Sequence, residues 1–259
     1  MKIGIIGYGF VGRAVASAYH EDEVMYNDPA VDGSSIDDIK QQCETIFICV
    51  PTPQGNNGEC DISILVETLD LLQGFDGLVI CKSTASPLLY RQLEADYADL
   101  KLVHAPEFLT AANAVRDYLK PVKLVIGCKE HLHDAALRAI YTERIRVNIT
   151  DCEFCSIEEA AMFKYVANSF LAMKVVINNE YEALCAAQGI DYTKVAAIAA
   201  RDPRLGDTHW AVPGPDGKRG FGGACFPKDT AALLNIAASA GVDLSMLNNA
   251  VTRNQSLRQ

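Results

Sequence analysis

The chain has 259 residues, enough for one large or two modest domains with ample core volume. Its formal net charge of −10 argues against a general nucleic-acid partner, because neutralising phosphates requires a basic face. The first apolar run, Ile3–Ile6, is too short for a signal peptide or a membrane span, and no later run reads as long enough for one.

Six short β-rich runs (KIGIIG, EVMYN, TIFICV, GLVICKS, KLVHA and KLVIG) read as strands, and the segments between them, including 10–19, 62–72 and 87–97, carry helical spacing. That alternation implies βαβ units and a parallel sheet buried on both faces. Residues 145–147 are a candidate edge strand. From Ser156 the character changes. Ser156 and Glu159 fit a capping box, the run to Gln188 holds no proline or glycine, and Gly189 fits a C-terminal stop, so the pattern predicts one helix over 156–188. A shorter helix (192–200), a Gly- and Pro-dense loop (202–223) and two further helices (227–240 and 244–257) complete the chain. The expected fold is α/β: an N-terminal Rossmann parallel sheet over 1–150, then a long central helix and a small helical domain over 151–259.

Nine cysteines, an odd count with several inside apolar strand-like runs, imply buried thiols in a reducing cytoplasm and no disulfide framework. Cys152 and Cys155 form a CxxC with no second pair at zinc-like spacing, so they read as two thiols at a helix entry, and no metal site is expected.

Two segments carry chemistry. Gly7-Tyr8-Gly9-Phe10-Val11-Gly12 is GxGxxG placed directly after a strand and opening a helix. The glycines allow a tight turn, backbone approach to a pyrophosphate and close packing of helix on strand, and the helix N-terminus offers N–H groups to phosphates. Asp28, 21 residues after Gly7, stands where a carboxylate accepts from ribose hydroxyls and repels a 2′-phosphate, which favours NAD over NADP. The second segment is Gly220-Phe-Gly-Gly-Ala-Cys225-Phe-Pro-Lys-Asp229. Pro227 suits the first turn of a helix, so Cys225 sits where a helix N-terminus and nearby Lys228 favour a nucleophilic thiolate. A buried structural cysteine at a loop–helix junction is the plain alternative. Asp229 shares a helix face with Cys225. Lys164 and Asn168 stand at i and i+4 on the long helix, a cation and an amide that suit a developing oxyanion. Loops at strand C-termini add Pro51-Thr52-Pro53, Lys82-Ser83-Thr84 and Ala105-Pro106-Glu107-Phe108-Leu109, at the edge where open α/β sheets bind ligands.

Taken in order, GYGFVG, VPTP, KST, PEFL, FKYVANSF, DPRLG and GFGGACFPKD resemble the UDP-glucose/GDP-mannose dehydrogenase family over nearly the whole chain. The resemblance implies oxidation of a nucleotide-sugar C6 alcohol to a carboxylate with NAD, through a cysteine thiohemiacetal and thioester. Cys225 then resembles the nucleophile, Lys164 and Asn168 the groups that stabilise oxyanions, and Asp229 the residue that orients a water. Thr84 and Glu107 resemble the pair handling protons. Pro51, Thr52, Thr84 and Lys228 join the glycine loop at the cofactor, while Glu107, Phe108, Leu109, Phe221 and Gly222 line the sugar site. Arg204 resembles an arginine that reaches the nucleotide sugar of a neighbouring subunit, so a homodimer through the central helix is expected. Two features depart from the family: Ala111 stands where many members have a second glutamate, and the sequence stops at Gln259, where members continue into another Rossmann-like domain. The expected readings of that stop are a naturally short form, a fragment, or a protein whose substrate is smaller or held differently. A two-electron hydroxyacid dehydrogenase, which needs no cysteine, and a non-catalytic NAD-binding module are the competing readings.

Overall fold

A computed structural model describes residues 1–55, 58–110, 113–146 and 151–259. Strands β1 (Ile3–Ile6), β2 (Val24–Asn27), β3 (Thr45–Ile48), β4 (Leu78–Cys81), β5 (Lys101–His104), β6 (Leu124–Gly127) and β7 (Cys152–Cys155) form one sheet in the order β2-β1-β3-β4-β5-β6-β7. Between them run α1 (Phe10–Ala16), α2 (Ile36–Gln42), α3 (Ser63–Leu71), α4 (Pro87–Asp96), α5 (Ala114–Leu119) and α6 (His133–Ile140). Every residue of β1, β3 and β4 is buried, as expected for central strands covered on both faces. Their side chains alternate. Ile5, Phe47 and Ile80 pack on one face with Val15 of α1 and Ala136 of α6, while Ile6, Ile46 and Val79 pack on the other with Ile39, Leu65 and Tyr90 from α2, α3 and α4.

Strands β1 to β5 are parallel. The sheet is mostly parallel, as expected from the sequence, with one reversal: β6 pairs antiparallel with β5 through His104 and Gly127, and β7 is parallel to β6. Among the described residues the connection from β5 holds a six-residue helix, α5, packed against α1, and β6 enters the sheet reversed. The edge strand also differs from the expected one. Ile145 is buried core outside any strand, and Val147 lies outside the described residues. Strand β7 occupies the edge instead, so Cys152 and Cys155 are strand residues and not thiols at a helix entry. All nine cysteines are thiols.

Helix α7 (Ile157–Ala187) has 31 residues. Its start is the capping box: the Ser156 N–H donates to Glu159 Oε2 at 2.8 Å, and the Glu159 N–H donates to Ser156 Oγ at 3.2 Å. It stops at Gly189, whose φ of +68° continues the chain in a left-handed conformation. Helix α7 is long and apolar enough to cross a bilayer by length and composition alone, contrary to the expectation that no run reaches that size; half of its apolar stretch is buried in protein. Then come α8 (Tyr192–Ala199), α9 (Phe226–Ser239) and α10 (Ser245–Leu257). The chain forms two compact units, the first of residues 1–53 and 60–164, the second of 54–59 and 165–259. The division falls inside α7, because β7 and the first turns of α7 complete the sheet unit: Ile157 and Ala161 belong to its core. In the second unit α7 fastens the 202–223 loop. Lys174 Nζ donates to the carbonyls of Leu205 (2.9 Å) and Gly206 (3.3 Å), and Asn178 Nδ2 donates to the His209 carbonyl at 3.0 Å.

Candidate active site

The turn between β1 and α1 is built on glycine. Gly7 has φ +91°, its N–H donates to the Asn27 carbonyl at 2.9 Å, and a Cβ there would lie 2.7 Å from the Cys49 carbonyl. A Cβ on Gly12 would collide with the Gly7 carbonyl, so only glycine lets α1 approach the turn this closely. Gly9 faces open space: a Cβ there meets nothing within 4 Å, and no side chain caps α1. Phe10 is exposed beside it and Val11 is half-buried. Asp28 follows β2 and braces the turn. Its Oδ2 accepts from the Tyr8 N–H at 2.7 Å and its Oδ1 from the Ala30 N–H at 2.8 Å. Each carboxylate oxygen keeps a further lone pair for a ligand hydroxyl. Open backbone at Gly9, close approach at Gly7 and Gly12, and an acid at the end of β2 fit the pyrophosphate and ribose of a dinucleotide.

The loops after β3 and β4 are tied together, because Ser83 Oγ donates to the Val50 carbonyl at 2.7 Å and Tyr90 of α4 donates to the Ser83 carbonyl at 2.5 Å. Pro51 is exposed on this edge, Thr52 is buried and Thr84 is half-buried. Two buried groups here had no assigned role in the sequence. Burial pushes Lys82 down to about 8, with its Nζ 5.4 Å above the Tyr118 ring. Burial also pushes His104 down to about 3; its Nδ1 lies 3.0 Å from the Cys81 carbonyl and its ring stacks on Tyr90. The only sequence signal for His104 was a polar residue closing an apolar strand, whereas Lys82 opens the Lys82-Ser83-Thr84 loop already counted among the candidates.

After β5, Glu107 meets Lys164. Lys164 Nζ donates to Glu107 Oε1 at 2.9 Å and also to the Glu107 carbonyl, while the Leu109 N–H donates to Glu107 Oε2 at 2.7 Å. Both side chains are nearly excluded from water, 4% and 9% exposed, so each charge depends on the other. Phe108 lies edge-on to Phe163, with Lys164 Nζ 5.1 Å above the Phe108 ring. Ala111 lies outside the described residues.

The second unit holds a second cluster. Cys225 is the N-cap of α9, Pro227 is in its first turn, and the Asp229 N–H donates to the Cys225 carbonyl at 2.8 Å. Asp229 is 1% exposed: its Oδ2 accepts from Asn168 Nδ2 at 2.6 Å, and its Oδ1 from Lys228 Nζ at 2.7 Å. Lys164 and Asn168 are one turn apart on α7, as their spacing predicts, but each is held by its own carboxylate and not presented as an idle donor. By donor count each keeps one more N–H, since an ammonium has three and an amide two. Phe221 is buried and Gly222 half-buried ahead of Cys225. Arg204 is not gathered into this cluster. Its side chain is 86% exposed and its guanidinium forks onto Asp202, with Nε–Oδ1 at 2.9 Å and Nη2–Oδ2 at 2.6 Å.

Known proteins share this arrangement of elements. Residues 27–145 match the NAD binding domain of the UDP-glucose/GDP-mannose dehydrogenase family, and residues 158–256 match its central domain. The match to the NAD domain begins after the glycine turn, so the dinucleotide fit of Gly7, Gly9 and Gly12 stands on their own geometry. The chain is 33% identical over 219 residues to a UDP-glucose 6-dehydrogenase of Rickettsia bellii, covering 82% of this chain and 49% of that protein. A UDP-glucose 6-dehydrogenase of Pseudomonas aeruginosa is 27% identical, covering 98% of this chain and 65% of its own length. The solved UDP-glucose dehydrogenase of Pyrobaculum islandicum shares the fold with a TM-score of 0.80 at 23% identity, over 98% of this chain and 68% of that one. The chain thus spans about half the length of the first of these relatives. The cofactor of the sheet unit is NAD. With both domain models matched in order along one chain, the protein belongs to the UDP-glucose/GDP-mannose dehydrogenase family.

Proposed function

We propose that the protein oxidises the C6 alcohol of a nucleotide sugar, UDP-glucose or a close relative, to the carboxylate through a covalent intermediate on Cys225. The observation that carries this reading is the second-unit cluster: a cysteine at the start of α9, with Asp229 one turn on, buried and bonded to Asn168 and Lys228. Relatives named as UDP-glucose 6-dehydrogenases support the sugar. NAD would supply the hydride acceptor, one molecule for each of the two oxidations. Lys164 and Asn168 stabilise the alkoxide and the later tetrahedral oxyanion with their remaining N–H groups. The Cys225 thiolate adds to the aldehyde carbon, and the thiohemiacetal is oxidised to a thioester. Water, oriented by Asp229, cleaves the thioester to release the acid and the thiol, with Thr84 and Glu107 handling the protons. Thr52 and Pro51 border the cofactor, Lys228 supports it, and Phe108, Leu109, Phe221 and Gly222 line the sugar site. A coupled NADH assay across nucleotide sugars tests the activity, and no NADH with any of them would contradict it. The thiol-only cysteines support a reducing compartment, the cytoplasm.

Asp28→Ala should weaken NAD binding by about 1–3 kcal/mol, the cost of leaving hydrogen-bonding groups unpaired. Calorimetry reads this directly, and an unchanged affinity removes Asp28 from the site.

The reading includes a homodimer through α7. In the second unit Val166, Phe170, Ile177, Tyr181 and Leu184 of that helix are exposed, an apolar face of the kind a symmetry mate covers. Arg204, exposed on its loop, then serves the partner's substrate. Sedimentation should give a dimer at micromolar concentration, and a monomer there overturns this part of the proposal.

A further inference from the structure

The glycine run ahead of Cys225 is gripped by α10. Asn254, 8% exposed, accepts from the Phe221 N–H through Oδ1 at 2.6 Å and donates from Nδ2 to the Phe221 carbonyl at 3.0 Å. One side chain thus supplies both hydrogen bonds that a strand neighbour would give. Four residues on, Arg258 donates from Nη1 to the carbonyls of Arg219 (3.3 Å) and Gly220 (3.4 Å), and its Nη2 pairs with Asp216 at 2.7 Å. The approach needs glycine: a Cβ on Gly220 would collide with Asn254 Oδ1, and one on Gly222 with the Arg258 guanidinium. The Phe221 ring, 4% exposed, meets the Phe226 ring edge-on at 6.2 Å and packs with Ala172 and Val176 of α7. Phe226 directly follows Cys225. Both flanks of the cysteine therefore lead to Phe221, whose backbone Asn254 holds.

We propose that Asn254 is a positioning residue for the Cys225 thiol, acting through the Phe221 backbone; this rests on the reading of Cys225 as nucleophile. Without the amide, the Phe221 N–H and C=O lose their buried partners, and the turn that follows, with glycines at 222 and 223, has little of its own to fix it. A displacement near 1 Å at a reacting atom costs about 100-fold in rate.

The test uses Asn254→Ala and Asn254→Asp in the full chain, with steady-state NADH formation and iodoacetamide mapping by mass spectrometry. In Asn254→Ala, kcat should fall by about 10- to 100-fold with KM and NAD affinity near wild type, and Asn254→Asp, which keeps only the acceptor, should fall less. Cys225 should alkylate about fivefold faster as its turn loosens, while Cys185 of α7, the thiol of the same unit, keeps its rate. Wild-type kcat and wild-type Cys225 alkylation in folded Asn254→Ala overturn the proposal. So does loss of cooperative unfolding in both variants, which would make Asn254 a residue of the fold alone. If wild type makes no NADH, the dehydrogenase reading fails, and the alkylation comparison still decides the clamp.

Discussion

Cys225→Ser is expected to lose turnover to the acid by more than about 10³-fold, the scale of removing a nucleophile from its machinery, while retaining a slow first oxidation. The thiolate has work only once an aldehyde carbon is available. Its addition turns oxidation of an aldehyde into formation of a thioester, which water then cleaves. A serine hydroxyl adds poorly, and any ester it forms is cleaved slowly, so the variant should accumulate aldehyde or a trapped ester. Chemical modification gives an independent reading. Cys81 and Cys128 are buried, with thiols pushed up to about 11 by desolvation, so both should resist iodoacetamide. Cys225, half-buried at the start of α9, should alkylate faster than either, and bound substrate should protect it. Full turnover in Cys225→Ser, with Cys225 no more reactive than Cys81, would remove the nucleophile assignment and favour the two-electron hydroxyacid reading.

Lys164→Ala should show two effects that measurement can separate. It strands the Glu107 carboxylate, 9% exposed, without its cation, and breaking such a buried pair costs about 3–5 kcal/mol of stability. It also removes an oxyanion partner, which should slow both oxidations by about 10²–10³. Glu107→Gln serves as contrast, since it keeps an acceptor for the ammonium while discarding the charge. Urea unfolding gives the stability cost, and single-turnover kinetics on alcohol and aldehyde give the rates. A folded Lys164→Ala that is less stable yet reacts at wild-type rate would make the pair a structural one.

The strands and helices were legible where one periodicity dominates. The alternation of Ile5 with Ile6 and Phe47 with Ile46 announces strands covered on both faces, and the box of Ser156 and Glu159 announces the start of α7. Strand β7 was not legible, because CEFC has neither a long apolar run nor turn residues to bound it. The reversal of β6 depends on the path of the connection, which no local pattern encodes. Within the candidate site, the i and i+4 spacing placed Lys164 and Asn168 on neighbouring turns, yet it carried no sign that Glu107 and Asp229 hold them, since those contacts span 57 and 61 residues. Asn254 was invisible for the same reason: its partner, Phe221, lies 33 residues away and offers only backbone.

The central claim is a four-electron oxidation that passes through Cys225, and NADH stoichiometry tests it most directly. With limiting UDP-glucose, or whichever nucleotide sugar the protein accepts, and excess NAD, the account predicts two NADH for each sugar consumed and a carboxylate product. One NADH per sugar, with an aldehyde or ketone as the final product, would contradict it.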